Sequence, residues 1–192
     1  MSATYKIRKF LVTQPDDEMF TTAQLLAFGT RAAVDQALCR MVSRGVIQRI
    51  ARGLFVISID KANVVTVMEA AQKKARAFGH AVMEHALDLA HRLEIMHEPN
   101  LTPTLATTGS SSSFLFKETT RIRYKRESAK KRQLAGSIMG DIIRSLWYLS
   151  KRHCDRTVLM RAVQRVGRTD RQQLRALSGL MPTWLHNYFV WR

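Results

Sequence analysis

The sequence predicts an α+β protein in two parts, on three observations. Apolar residues recur at helical spacing through residues 4–45. At residues 46–58 they give way to VIQRIARGLFVIS, two short β-patterned runs about a glycine-containing turn. Beyond it the chain returns to mixed helix and strand patterns and grows markedly more basic. The boundary is expected at residue 59. Residues 60–192 then form a second, basic α/β part, with mixed helices and a hairpin over 60–130 and a helical tail over 131–192.

Ile7, Phe10 and Leu11 predict a first helix over 4–14, and Pro15 with Asp16 and Asp17 reads as a loop. Thr21 is placed to cap a short helix carrying Leu25 and Leu26, ended by Gly29. Thr30 caps the next helix, RAAVDQALCRMVSR, which stops at Gly45. Only FGT links these two helices, the helix-turn-helix pattern.

The third helix sorts by face. Val34, Leu38, Met41 and Val42 gather on an inward side, while Ala32, Gln36, Cys39, Arg40 and Ser43 gather on the opposite one. Gln36 and Arg40 are long enough to reach base edges, and their small neighbours let the helix lie deep in a major groove roughly 12 Å wide. Arg31, in the first turn, is expected to bind a phosphate. In the hairpin, Ile47, Ile50, Leu54 and Val56 supply an apolar face, while Arg49 and Arg52 stand at and beside the turn. A hairpin needs no cations there. Helix, helix-turn-helix and two-stranded wing is the order of a winged helix domain, whose wing tip lies beside the DNA backbone or minor groove. The competing reading is an amphipathic helix and a solubilising hairpin, both merely solvated.

Charge sharpens the choice. The chain holds 31 Lys and Arg against 15 Asp and Glu, a net +16. Residues 1–59 carry eight basic and four acidic side chains, and residues 117–192 carry 18 and five. Such an excess points to a polyanionic partner. No apolar run approaches the ~20 residues of a membrane span, and the N-terminus lacks a signal peptide's apolar block. Cys39 and Cys154 suggest neither a disulfide framework nor a metal site, so a cytoplasmic protein is expected.

The stretch FTTAQLLAFGTRAAVDQALCRMVSRGVIQRIARGLFVI resembles the N-terminal domain of AbiEi-type antitoxins. The matching residues are Phe20, Gly29, Val34, Asp35, Ala37, Leu38, Arg40, Gly45, Ile47, Arg49, Ile50, Arg52 and Gly53. Phe55 stands where the family usually has Tyr. PTLATTGSSSSFLF and TRIRYKRES extend the likeness to about residue 130, and the helical tail matches only in general character. The resemblance implies a bacterial, nucleoid-associated antitoxin encoded beside a nucleotidyltransferase toxin. Its winged helix would bind repeats in its own promoter and repress the operon. The toxin would be counteracted functionally, often without a stable complex. Under this reading Arg31, Gln36, Arg40, Ser43, Arg49 and Arg52 contact double-stranded DNA, and palindromic sites would call for a dimer on DNA.

In the second part, NVVTVMEAAQKKARAFG and HAVMEHALDLAHRLEIMHE are largely helical in pattern. His85, His91 and His97 recur every six residues, about 240° of helix, and cannot converge on one ion. No metal or other cofactor is expected. TTGSSSSF lacks both the P-loop lysine and the G-x-S-x-G spacing, and reads as a turn entering a strand. TRIRYKRE alternates strictly: Ile122 and Tyr124 face one way, Arg121, Arg123 and Lys125 the other. With Arg126, Lys130, Lys131 and Arg132, these form either a solvated sheet edge or a second polyanion-binding surface. In the tail, Ile138, Ile142, Leu146 and Leu149 predict a core-facing stripe, and Asp155 and Asp170 cap the following helices. Arg161, Arg165 and Arg168 form a basic stripe; Trp184, Tyr188 and Trp191 read as core anchors.

Two rivals remain beside the antitoxin. One is a stand-alone winged helix regulator; the other is a basic module that docks an acidic partner without sequence-specific DNA binding. A nuclease or nucleotidyltransferase would need clustered carboxylates, and the 11 acidic residues of the second part are spread singly. No catalytic residue is assigned.

Overall fold

The computed structural model describes residues 1–15, 18–57, 64–97, 102–164 and 171–190. In chain order the elements are α1 (Ala3–Val12), β1 (Met19–Thr21), α2 (Thr22–Leu25), a 3₁₀ turn (Leu26–Phe28), α3 (Arg31–Ser43), β2 (Gln48–Ala51) and β3 (Leu54–Val56). Then come α4 (Val67–Arg76), β4 (Val82–Glu84), α5 (Ala86–Arg92), β5 (Thr104–Thr107), β6 (Ser112–Phe116) and β7 (Thr120–Arg126). The chain ends in α6 (Ala129–Gln133), α7 (Ile138–His153), α8 (Arg156–Gln164), α9 (Arg171–Ala176) and α10 (Thr183–Val190). This is a mixed α+β protein with small sheets. Among the described residues no helix is long and apolar enough to cross a membrane.

The chain divides into two compact units, Met1–Val82 with Ser112–Arg123, and Met83–Ser111 with Tyr124–Arg192. The boundary expected at residue 59 lies outside the described residues, and the first unit takes in more chain than residues 1–59. One strand order is β1-β3-β2; the other is β4-β5-β7-β6, with the division between units falling inside both β4 and β7.

In the first unit, α1 buries Ile7 and Leu11 against Val34, Leu38 and Met41 of α3, as their spacing predicts, with Val42 half-buried beside them. α3 starts at Thr30, whose Oγ1 accepts from the Ala33 N–H at 3.4 Å. It ends where Gly45 and Val46 donate back to the Val42 and Met41 carbonyls at 3.0 Å each, the paired bonds of a Schellman cap. Gly29 ends the preceding turn for a reason other than the expected left-handed cap. Its φ of 169° is ordinary extended backbone, and a Cβ there would lie 3.0 Å from the Ala3 Cβ. Close approach of α1 selects the glycine.

β1 was not legible in the sequence, being too short to show alternation. It pairs antiparallel with β3, bringing Phe20 opposite Phe55 with ring centroids 5.8 Å apart. β3 is thus the central strand. Leu54, Phe55 and Val56 are all buried, so β3 hides both faces rather than the single apolar one expected, while β2 leaves Arg49 exposed.

In the second unit, α7 carries the core through Met139, Ile142, Ile143, Leu146 and Leu149, packed with Ala90, Ile95, Leu159, Ala162, Met181 and Leu185. Ile138, expected in that stripe, is exposed: it is the first residue after the Ser137 cap, and Met139 turns inward instead. Trp184 and Tyr188 pack against this core; Trp191 and Asp170 lie outside the described residues. Asp155 caps α8 by accepting from the Val158 N–H at 2.8 Å. Cys154 is buried at the end of α7, its thiol pushed up to about 11 by burial and then by Asp155. The helix expected to follow Gly79 opens instead as strand β4, because Val82–Glu84 joins the edge of a sheet before His85 caps the short α5.

Arg144 is the largest fully buried side chain. Its guanidinium meets Asp141 at 3.2 Å and the Glu84 carbonyl at 2.8 Å, with Glu127 at 3.8 Å. Removing the Arg144 guanidinium from such a set costs about 3–5 kcal/mol, since Asp141 and Glu127 lose their fully buried partner.

His85 is buried and edge-on to Tyr148, its Nδ1 accepting from the Leu87 N–H at 3.3 Å. Burial, then the charges of Lys125, Arg144 and Lys131, lower its pKa to about 4. The unfolded chain therefore takes up a proton first. Stability should be full above pH 6.5 and fall as pH drops toward 4, by up to about 3 kcal/mol. Urea denaturation across this window should show that slope in wild type and lose it in His85→Asn, which keeps a capping acceptor.

Candidate nucleic-acid interface

α3 exposes Ala32, Gln36, Cys39, Arg40 and Ser43 on the face opposite its buried stripe. Arg40 Nη2 donates to Gln36 Oε1 at 3.4 Å, one turn apart, and the Ser43 hydroxyl donates to the Arg40 carbonyl at 3.0 Å. The long polar pair is therefore held together loosely on a surface of small neighbours. Both side chains are open to solvent, so exchanging this contact for one to a base edge costs little.

Beside this face lies a groove of ≈ 630 Å³, contained within the first unit. Arg31, Asp35 and Leu38 of α3 form one wall, and Arg49, Ala51, Arg52, Gly53 and Phe55 of the β2–β3 hairpin form the floor. Lys74 of α4, with Ser113, Phe114, Leu115, Glu118 and Arg121 of the β6–β7 hairpin, completes the lining. Five cations thus face two carboxylates. Arg31 is ion-paired within this lining: its Nε donates to Asp35 at 2.8 Å, an exposed pair worth little.

Arg49 is not at the hairpin tip. It lies in β2 opposite Phe55, and its guanidinium sits 5.7 Å above that ring, because the register is irregular between Arg49 and Ala51. Arg52 does occupy the turn, next to Gly53 at φ +76°. The Thr22 N–H donates to the Gly53 carbonyl at 3.0 Å, tying the start of α2 to this turn. Lys74 Nζ donates to the Arg52 carbonyl at 2.6 Å and lies 5.7 Å from the Phe114 ring. Its pKa is lowered, by burial and then by the Arg52 charge.

The second group of candidate residues separates. Arg121 and Arg123 are counted with the first unit, and Arg121 lines the groove, its Nη1 donating to Ser113 Oγ at 3.4 Å. Lys125, Arg126 and Lys130 belong to the second unit and are exposed, with Lys125 Nζ 5.3 Å above the Tyr148 ring. Ile122 and Tyr124 are buried on the opposite side of β7, as alternation predicts. TTGSSSSF is a turn between β5 and β6; Ser111 Oγ accepts from the Arg126 N–H at 3.0 Å. Arg161 is half-buried on α8, while Arg165 and Arg168 lie outside the described residues. Among the described residues no group of His, Cys, Asp and Glu could hold a metal ion.

Lys74 is the groove cation that sequence reasoning missed. Its helix was legible, but no periodicity links it to a turn 22 residues earlier in the chain.

No family model matches the chain, and no curated protein and no solved structure matches it.

The turn that carries Arg52 needs a residue at positive φ. Gly53→Ala places its Cβ 3.6 Å from Thr22 Oγ1, an ordinary contact, so the cost is conformational. A loss of about 1–2 kcal/mol is expected by urea denaturation; an unchanged midpoint would contradict the turn geometry.

Proposed function

We propose that the first unit is a winged helix module that binds duplex DNA, and that the chain is an antitoxin of the AbiEi type. On this reading it represses its own operon and counteracts a nucleotidyltransferase toxin. The exposed face of α3 carries the proposal: Gln36, Arg40 and Ser43 stand among small residues on a helix whose other side is fully engaged by the core. The element order α1-β1-α2-α3-β2-β3 and the strand order β1-β3-β2 support the winged helix assignment.

α3 would enter the major groove, where Arg40 and Gln36 trade their mutual contact for base edges. Arg31, Arg49 and Arg52 would meet phosphates, fixing register without reading sequence. The net charge of +16 would supply affinity that falls steeply with salt. Two copies would serve a palindromic site. The second unit, with exposed Lys125, Arg126 and Lys130, is the part we associate with the toxin, functionally rather than by stable contact.

The test is anisotropy titration against the chain's own upstream DNA and a scrambled duplex. Arg40→Ala should lose about 1–3 kcal/mol of discrimination at one base pair. Equal weakening on every duplex would reduce Arg40 to a phosphate contact and remove the support for readout by α3. The antitoxin half is tested by co-expression with the neighbouring nucleotidyltransferase: growth should be restored, and failure to restore it would sink that half alone.

A further inference from the structure

Arg31, Arg52 and Lys74 come from three separate elements, the start of α3, the β2–β3 turn and α4, yet line the same groove. All three also line a smaller adjoining hollow of ≈ 300 Å³, so they stand on the ridge where two concave surfaces meet. Among the described residues neither Lys74 nor Arg52 has a carboxylate partner. Among the described residues Lys74 makes one hydrogen bond, to the Arg52 carbonyl, and faces the Phe114 ring, so its ammonium has N–H groups to offer an arriving acceptor.

The arrangement contrasts with the chain's structural cations. Arg144 is surrounded by carboxylates and a carbonyl, and Lys73, adjacent to Lys74 on α4, is ion-paired with Glu18. Arg31 keeps its exposed pair with Asp35, whereas Lys74 and Arg52 bring like charges together with no ion pair of their own among the described residues, and an arriving anion would relieve that repulsion. The anion must be compact and multiply hydrogen-bonding to engage an ammonium and guanidinium groups together, which is phosphate chemistry.

We propose that Lys74 and Arg52, with Arg31, form a seat for one backbone phosphate of the DNA lying along α3. This extends the DNA contact to a helix outside the α1–β3 segment, and it rests on the DNA-binding reading above. Lys74 is then a positioning contact that adds affinity without sequence preference, because a phosphate is the same beside every base pair.

The test uses the full chain with Lys74→Gln, Lys74→Arg and the double variant Gln36→Ala/Arg40→Ala. Gln retains a donor for the Arg52 carbonyl, and matched thermal midpoints would show that the fold is kept. Lys74→Gln should weaken the upstream and scrambled duplexes alike, by roughly tenfold at 0.1 M salt, and should reduce the log–log salt slope by about 0.9. Lys74→Arg should keep most of the affinity. The double variant should instead lose the preference for upstream DNA. An unchanged affinity and slope in Lys74→Gln, with preference lost in the double variant, would overturn the seat and leave the DNA-binding reading standing. A double variant that keeps its preference would overturn that reading, and the seat along α3 with it. The phosphate source is settled by amine acylation of Lys74. Duplex should protect it and inorganic phosphate at matched ionic strength should not; equal protection by inorganic phosphate would assign the seat to a free anion and overturn the proposal.

Discussion

Strand β3 is the constraint on which the first unit depends. Its three residues are buried on both faces and hydrogen-bonded on both edges, to β1 and to β2. The Phe20–Phe55 stack fixes β1, and with it the start of α2 that immediately follows. The Thr22–Gly53 hydrogen bond then ties α2 to the turn. α3 has one remaining way to pack, with Val34, Ala37, Leu38 and Met41 on the same core as Phe55. Its polar face is turned outward as a consequence. The groove follows from the same strand, since Phe55 lines its floor and Arg49 lies over that ring.

Cations in this chain fall into distinct physical classes. Arg144 is buried and surrounded by acids, so its work is structural and its loss would be felt as instability. Lys125 and Lys131 hold their ammonium groups over the Tyr148 and Trp147 rings, 5.3 and 5.0 Å from the centroids, as cation–π pairs. Among the described residues Arg52 and Lys74 have no carboxylate partner, and they lie close together, Lys74 donating to the Arg52 carbonyl. On the proposed reading, their separation from the Gln36–Arg40 face would divide the labour on DNA: one surface would discriminate between bases while its neighbour would supply salt-sensitive affinity.

Much of the first unit was legible because its signals are local. Thr30 and Gly45 bracket α3, and the apolar positions within it carry one period. The β2–β3 hairpin was legible for the same reason. What escaped depends on contacts distant in sequence. β1 is strand only because β3 offers it an edge, and β4 interrupts a helical pattern because a sheet takes its backbone. Arg49 is off the tip because β2 runs on to Ala51 before the turn, and a register irregularity that no residue type announces sets it opposite Phe55. The groove needed Lys74 and Arg121, which the fold brings to a hairpin formed much earlier in the chain.

Cys39 allows the central claim to be measured directly. It is exposed on the α3 face, next to Arg40 and three residues beyond Gln36, whereas Cys154 is buried and serves as an internal control. The rate of Cys39 alkylation should be measured with and without saturating upstream duplex. If α3 lies in the major groove, the duplex will protect Cys39, and protein alkylated beforehand will fail to bind DNA. Alkylation at an unchanged rate on saturating duplex, with full binding by the modified protein, would contradict the account.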